Sequence, residues 1–281
     1  MEVKSKYVSW DAKRSIIISD IHGNKELLEQ LLQKCEYDEK WDHLFILGDM
    51  VEKGKESLAT LRMIMELSER ALVDVVMGNC EAISLQIMNG YDLKGLCHYL
   101  HHAPWKRNML LWEMADACGV EIREDGNNEE AFAQILKSFA KEFAFFFFFP
   151  HVLESEDYIF VHAGVESDHA PYAKDADTIM KNDYFGAKDV RFDKLVICGH
   201  TPVINYHESA PSAIPYLDDD KNVFLIDGGC GVRKDGQLNA LICIDDCFHS
   251  VYVDDLPQGL VIDDAFDWEE EYPYSITERN R

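Results

Sequence analysis

The sequence predicts an α/β fold whose functional residues sit at the carboxyl ends of strands. Two observations carry this. Short apolar runs alternate with stretches of helical spacing, and five of the runs end in polar or ionisable residues, at Asp20/His22, Asp49, Asn79, His162 and His200. In open α/β sheets that edge is where sites are built.

The elements follow in order. Ile16-Ile17-Ile18 reads as a strand leading into Ser19-Asp20-Ile21-His22-Gly23. The period-2 alternation of a strand sends Asp20 and His22 to the same side, where they can grip one cation. Gly23 allows a tight turn, and Asn24 is a suitable N-cap for a helix with Leu27, Leu28, Leu31 and Leu32 on one face. A second strand over 41–47 runs into Gly48-Asp49, followed by a helix over 56–70 with Leu58, Leu61, Ile64, Met65 and Leu67 inward. A third strand, Leu72 to Met77, leads into Gly78-Asn79-Cys80-Glu81.

From about 82 to 156 the periodicity becomes helical, which predicts a helical insertion whose best helix starts at Asn127-Asn128 and buries Phe132, Ile135, Leu136, Phe139 and Phe143. The apolar run from Phe143 to Pro150 reads as a buried strand or packing wall. His98, His101 and His102 invite a metal reading, since 98 and 102 are one helical turn apart. No carboxylate or cysteine completes the set at suitable spacing, so a structural role is favoured. Strands return at Tyr158–Val161 before His162-Ala163-Gly164, and at Leu195–Cys198 before Gly199-His200-Thr201-Pro202. Further strands are expected at 223–226, 240–244 and 249–253, and the tail after Leu256 turns acidic.

Composition bounds the function. A chain of 281 residues with 47% hydrophobic residues can bury one large domain, expected to span 1–281. With 27 Lys+Arg against 52 Asp+Glu the net charge is −25, which repels nucleic acid and anionic membrane surfaces. The eight cysteines show no CxxC and no paired spacing, Met1-Glu2-Val3-Lys4 lacks the apolar stretch of a signal peptide, and no run is long enough to span a bilayer. A reducing cytoplasm is the expected location.

Taken together, Ser19-Asp20-Ile21-His22-Gly23, Gly48-Asp49-Met50-Val51-Glu52-Lys53-Gly54, Gly78-Asn79-Cys80-Glu81, His162-Ala163-Gly164 and Gly199-His200-Thr201-Pro202 resemble the motifs of the calcineurin-like metallophosphoesterase superfamily, in the phosphoprotein-phosphatase and dinucleoside-tetraphosphatase branch. The pattern there is GDxHG, GDxxDRG, GNHE, HAG or HGG, and GHTP. The resemblance implies a four-layer α/β/β/α sandwich with two mixed sheets flanked by helices. It also implies two divalent metal ions, Mn²⁺ first with Fe or Zn²⁺ as alternatives: Asp20, His22 and Asp49 would bind one, with Asp49 bridging to the other on Asn79, His162 and His200. Two divalent ions against two carboxylates leave a local positive excess that can draw phosphate despite the acidic surface. A metal-bridging hydroxide attacking phosphorus in line is the implied chemistry, on a phosphorylated small molecule, nucleotide or phosphoprotein. Phosphodiesterase or dinucleoside-polyphosphate hydrolysis is an alternative, and a non-catalytic phosphate sensor a second.

The chain departs from the pattern in the accessory positions. Cys80 stands for the histidine thought to protonate the leaving group, Glu52 for the aspartate that pairs with it, and Lys53 for a phosphate-clamping arginine. Lys181 matches a position where related bacterial enzymes have another arginine. Lys53, Asn79 and Lys181 are therefore the expected substrate contacts, and Cys80 with Glu52 the expected catalytic pair. A thiol is a weaker acid catalyst than an imidazolium, so anhydrides, aryl esters or diesters are expected to be favoured over phosphoserine.

Overall fold

In the computed structural model, residues 2–10, 12–90, 92–182, 190–206 and 212–254 are described. The expected acidic tail, from 256 on, lies outside them.

Two mixed sheets pack face to face. The first has the order β11-β10-β2-β3-β4, built from β2 (Arg14–Ile18), β3 (Asp42–Ile46), β4 (Leu72–Val75), β10 (Gln237–Ile244) and β11 (Cys247–Asp254). Here β2, β3 and β4 run parallel, with β10 antiparallel to β2. The second has the order β1-β5-β6-β7-β9-β8, from β1 (Ser5–Tyr7), β5 (Val152–Glu154), β6 (Tyr158–Val161), β7 (Leu195–Cys198), β8 (Tyr216–Asp218) and β9 (Val223–Leu225). In it β6, β7 and β9 run parallel.

Alternation along β2 shows why its isoleucines are continuous. Ile17 faces the second sheet, in a cluster with Phe45, Phe160, Ile197 and Leu241, whereas Ile16 and Ile18 face the helices. Both faces of the strand are dry at these positions, so Ile16, Ile17 and Ile18 are all apolar. The seam between sheets is aromatic: Phe45 and Phe160 stack with centroids 4.5 Å apart, and Trp10 closes over both at 5.5 Å.

The outer face of the first sheet is covered by α1 (Lys25–Lys34) and α2 (Ser57–Arg70), which bury Leu28, Leu31 and Leu32, and Leu61, Ile64 and Leu67. Between β4 and β5 the chain forms α3 (Asn79–Ser84), α4 (Gln86–Asn89), α5 (Leu93–His102), a 3₁₀ turn at Lys106–Asn108, α6 (Leu110–Cys118), α7 (Glu129–Ser138) and α8 (Ala140–Phe147), which join the same core. On the outer face of the second sheet, α9 (Ala176–Lys181) contributes Ile179 to a third cluster with Val161, Val196 and Val223. The layers are therefore α/β/β/α. Among the described residues no helix is long and apolar enough to cross a membrane.

Several local expectations are corrected. The helix expected through Phe143 is two, because Phe139 leaves helical geometry at φ −116°, ψ 31°. Phe132, Ile135, Phe139 and Phe143 are buried nonetheless, with Leu136 partly so. The Phe143–Pro150 run is not a strand: it ends α8, and it is not a uniform packing wall, since Phe147 and Phe148 are 45% and 77% exposed while Phe146 is buried. A helix can bury only one stripe, so a continuous apolar run must expose some of its members. Strand β5 falls within the stretch expected to be helical, and three residues are too few to show a period. Asn24 precedes α1 without capping it; its side-chain amide instead donates to the carbonyls of Ile21 and His22 at 2.9 Å.

These packing differences have measurable consequences. Phe160→Ala should lower unfolding free energy in urea by about 3–5 kcal/mol, and Phe148→Ala by no more than about 0.5 kcal/mol.

Candidate metal centre

The parallel strands deliver their ends to a common edge, and the loops beyond them are stitched together by backbone bonds. His22 N–H donates to Asp49 O at 2.9 Å, Asp20 N–H to Gly48 O at 3.2 Å, and Gly199 N–H to His162 O at 2.8 Å. Strand alternation does not bring Asp20 and His22 together, because β2 ends at Ile18. Both lie beyond it in the left-handed region, at φ 51° and 49°, as do Asp49 at 49° and His200 at 71°. Four of the six expected ligands thus hold a conformation costing roughly 1–2 kcal/mol each, compensated by the surrounding fold. The approach is close: at Gly48, φ 80°, a Cβ would come within 2.6 Å of Gly78 Cα.

All six expected ligands converge. Asp49 is two-sided: its Oδ2 lies 3.8 Å from His22 Nε2, and its Oδ1 lies 3.3 Å from His162 Nε2. His162 Nε2 is also 2.9 Å from Asn79 Oδ1 and 3.2 Å from His200 Nδ1. Asp20 Oδ1 lies 3.8 Å from His22 Nε2 and, though buried, has no hydrogen-bond partner; its Oδ2 accepts from His200 N–H. Two donor trios share Asp49, namely His22-Asp49-Cys80 and Asp49-His162-His200.

The hydrogen bonds show that these atoms offer lone pairs. His162 Nδ1 donates to Leu47 O at 2.8 Å and His22 Nδ1 to Val51 O at 3.3 Å, so in each neutral ring Nε2 faces the site without a proton. His162 Nε2 in that form meets Asn79 Oδ1 at 2.9 Å and Asp49 Oδ1 at 3.3 Å as one of three acceptors. Such an array suits a cation, and oxygen with imidazole suits a divalent transition metal. The Lys53 ammonium, 3.0 Å from His22 Nε2, already stands on a cation-seeking face.

Electrostatics agree. Burial, then Asp49, pushes the Asp20 carboxyl up to about 8. Burial also opposes ionisation of Asp49, but His162, His22, Lys53 and the Cys80 thiol outweigh it and hold its carboxyl well below the usual range. Burial brings His22 and His200 down to about 3, the neutral form a ligand needs.

The accessory residues are placed less as expected. Cys80 and Glu52 do not pair among the described residues. The Cys80 thiol donates to Asp49 Oδ2 and its N–H to Asp49 Oδ1, both at 3.0 Å, so it clamps the shared carboxylate. Glu52 turns toward α6, accepting from Leu110 N–H at 3.3 Å and Ser84 Oγ–H at 3.4 Å, and burial raises it to about 8. Lys53 does reach the site, lying 5.5 Å over the Trp105 ring with its carbonyl held by Asn108 Nδ2 at 2.9 Å. Lys181 is exposed at the end of α9, and its carbonyl accepts from the His200 imidazole.

Sequence reasoning missed two buried carboxylates. Glu81 accepts from the N–H groups of Asp49 (2.9 Å), Met50 (2.8 Å) and Gly78 (3.1 Å), holding the loop that carries the shared ligand. Its signal was its place in Gly78-Asn79-Cys80-Glu81. Asp227 follows β9 and accepts from Gly229 N–H at 2.7 Å; burial and then Asp20 raise its carboxyl well above the usual range. Its signal was a strand ending in Asp-Gly-Gly.

A pH test follows. A carboxyl raised when folded favours folding below its unfolded value, and that contribution is lost as pH climbs toward the folded one. For Asp20 and Glu52 the loss runs from about 4 to about 8, with His22 and His200 opposing it only below 6.5. The chelated protein should therefore melt at a lower temperature at pH 8 than at pH 6.5. Asp20→Asn should flatten that slope, and added Mn²⁺ should reverse it.

The chain is similar to known proteins. The profile of calcineurin-like phosphoesterases matches residues 13–228. The chain is 41% identical over 73 residues to a symmetrical bis(5'-nucleosyl)-tetraphosphatase of Dechloromonas aromatica (strain RCB), covering 26% of each protein. It is 42% identical over 77 residues to one of Vibrio vulnificus (strain YJ016), covering 26% of this chain and 28% of that protein. The matched stretch thus spans about a quarter of these relatives' length. Among solved structures, a candidate diadenosine tetraphosphatase superposes with TM-score 0.56 at 18% identity, covering 89% of this chain and 98% of its own. A protein serine/threonine phosphatase from Saccharomyces cerevisiae gives 0.51 at 11%, covering 89% and 82%. With a family profile that runs from β2 to beyond β9 and includes every residue of the centre, the chain belongs to the calcineurin-like phosphoesterases.

Proposed function

We propose that the protein is a phosphoric-ester hydrolase working at a dinuclear metal centre. The observation that carries this is Asp49, one buried carboxylate facing two sets of lone pairs. Asp20, His22 and Asp49 would hold one divalent ion, and Asp49, Asn79, His162 and His200 the other, with Mn²⁺, Fe or Zn²⁺ fitting the donor types. When bound, such ions supply Lewis acidity and a water activated for attack on phosphorus.

The chain's own residues do the rest. His22 and His162 are aimed by the carbonyls of Val51 and Leu47, and Asp49 by Cys80 and Glu81. Lys53 offers a positive charge to a phosphate oxygen, as a point charge where an arginine would make a fork. Cys80 is a poor proton source for the leaving group: burial and Asp49 raise its thiol well above 9, and its hydrogen is spent on Asp49. Loss of a general acid costs about 10²–10⁴-fold on poor leaving groups and much less on good ones. Anhydrides, aryl esters and diesters are therefore the favoured substrates, among phosphorylated small molecules, nucleotides or phosphoproteins. Dinucleoside polyphosphates are a specific second reading, since the leaving group of a phosphoanhydride needs no strong acid and the matched relatives are named as tetraphosphatases.

Hydrolysis of an aryl phosphate with added Mn²⁺ should fall more than about 100-fold in Asp49→Asn. Metal uptake without turnover in the wild type would instead identify a phosphate-binding sensor. Cys80→His should raise activity on an alkyl monoester relative to a diester, and an unchanged ratio would remove the leaving-group argument.

A further inference from the structure

We propose that His98, His102 and Glu124 form a separate surface site for a Zn²⁺-type ion. His98 and His102 lie on one face of α5 a single turn apart, both exposed, with ring centroids 4.3 Å apart. No carboxylate is near them in sequence, but the fold brings one. Glu124 Oε1 stands 2.6 Å from His102 Nε2 and 3.8 Å from His98 Nδ1, and the three donor atoms all lie within 4.8 Å of one another.

The carboxylate is held there by a buried side chain. Asn128 Oδ1 accepts from Arg123 N–H at 2.8 Å, and its Nδ2 donates to Arg123 O at 2.7 Å and to Cys97 Sγ at 3.0 Å. The residue before Glu124 is thereby tied to the residue before His98. His101 takes no part: its Nδ1 bonds Cys97 O at 2.8 Å, and its ring packs edge-on against Trp112.

The geometry suits a tetrahedral ion. Metal–donor bonds of about 2.0–2.1 Å place neighbouring donors roughly 3.3 Å apart, and rotations of exposed side chains by less than about 1 Å bring these atoms to that spacing. Two imidazoles and a carboxylate favour Zn²⁺ over Mg²⁺ or Ca²⁺, with water in the fourth position. A bound ion would fasten α5 to the segment before α7. Because α5 leads directly to Trp105 and Asn108, which hold Lys53, that fastening would steady the side of the centre built by the helices.

The test uses the full chain, stripped of metal and titrated with Zn²⁺ against a chromophoric chelator. Wild type should bind one more Zn²⁺ per chain than His98→Ala/His102→Ala, with a larger Zn²⁺-induced rise in melting temperature, and Glu124→Gln should weaken that ion at least about tenfold. The difference should persist in an Asp49→Asn background, which keeps it distinct from the strand-end centre. Equal stoichiometry in wild type and the double variant would overturn the proposal, as would an extra ion that disappears with Asp49→Asn instead.

Discussion

The structure depends on one buried carboxylate. Asp49 sits at the mouth of the seam between two sheets, where isolating a charge from water is prohibitive unless it is matched. The fold matches it closely. The Cys80 thiol and N–H take one oxygen each, His162 lies 3.3 Å from one and His22 3.8 Å from the other, and Lys53 adds a cation nearby. Glu81 then fixes the backbone on which Asp49 stands. The same requirement explains the local strain: left-handed residues at 20, 22, 49 and 200 turn donors inward that regular strands would spread apart.

The helices between β4 and β5 complete the other side of this loop. Glu52 and Lys53, both left-handed, are held by Leu110 N–H and Asn108 Nδ2, and Glu113 accepts from Ser57 and Leu58 N–H at the start of α2. A carboxylate at that helix start is favoured by the helix dipole. Lys53 therefore owes its position to residues more than fifty positions away. In a chain of net charge −25, a lysine beside a metal-seeking cluster marks a place where an anion would be welcomed.

Replacing histidine by cysteine after Asn79 changes what that position does. An imidazole could carry a proton to a leaving group, whereas this thiol is buried, neutral and bonded to the shared ligand. Glu52 is one methylene longer than aspartate and turns to α6, so the two substitutions do not rebuild a dyad. Both side chains hold structure around the shared ligand, Cys80 through Asp49 and Glu52 through α6.

The sequence by itself marked the strands that lead into the centre, β2, β3, β4, β6 and β7, and the six polar residues that follow them, because dry runs ending in Asp, Asn and His leave a signal that local reading detects. By contrast β1, β5 and β8, at three residues each, are too short to show a period, and the sheet order leaves no such signal. It also determined the chemistry those residues can do, since lone-pair donors are a property of residue type. Tertiary structure alone decided how they meet: Asp20 and His22 converge through left-handed turns and not strand alternation, and Cys80 faces Asp49 and not Glu52. It alone supplied Glu81 and Asp227 as supports and carried Glu124 to His98 and His102. These are contacts between segments distant in sequence, set by packing and the balance of buried charge, and a one-dimensional period carries no record of them.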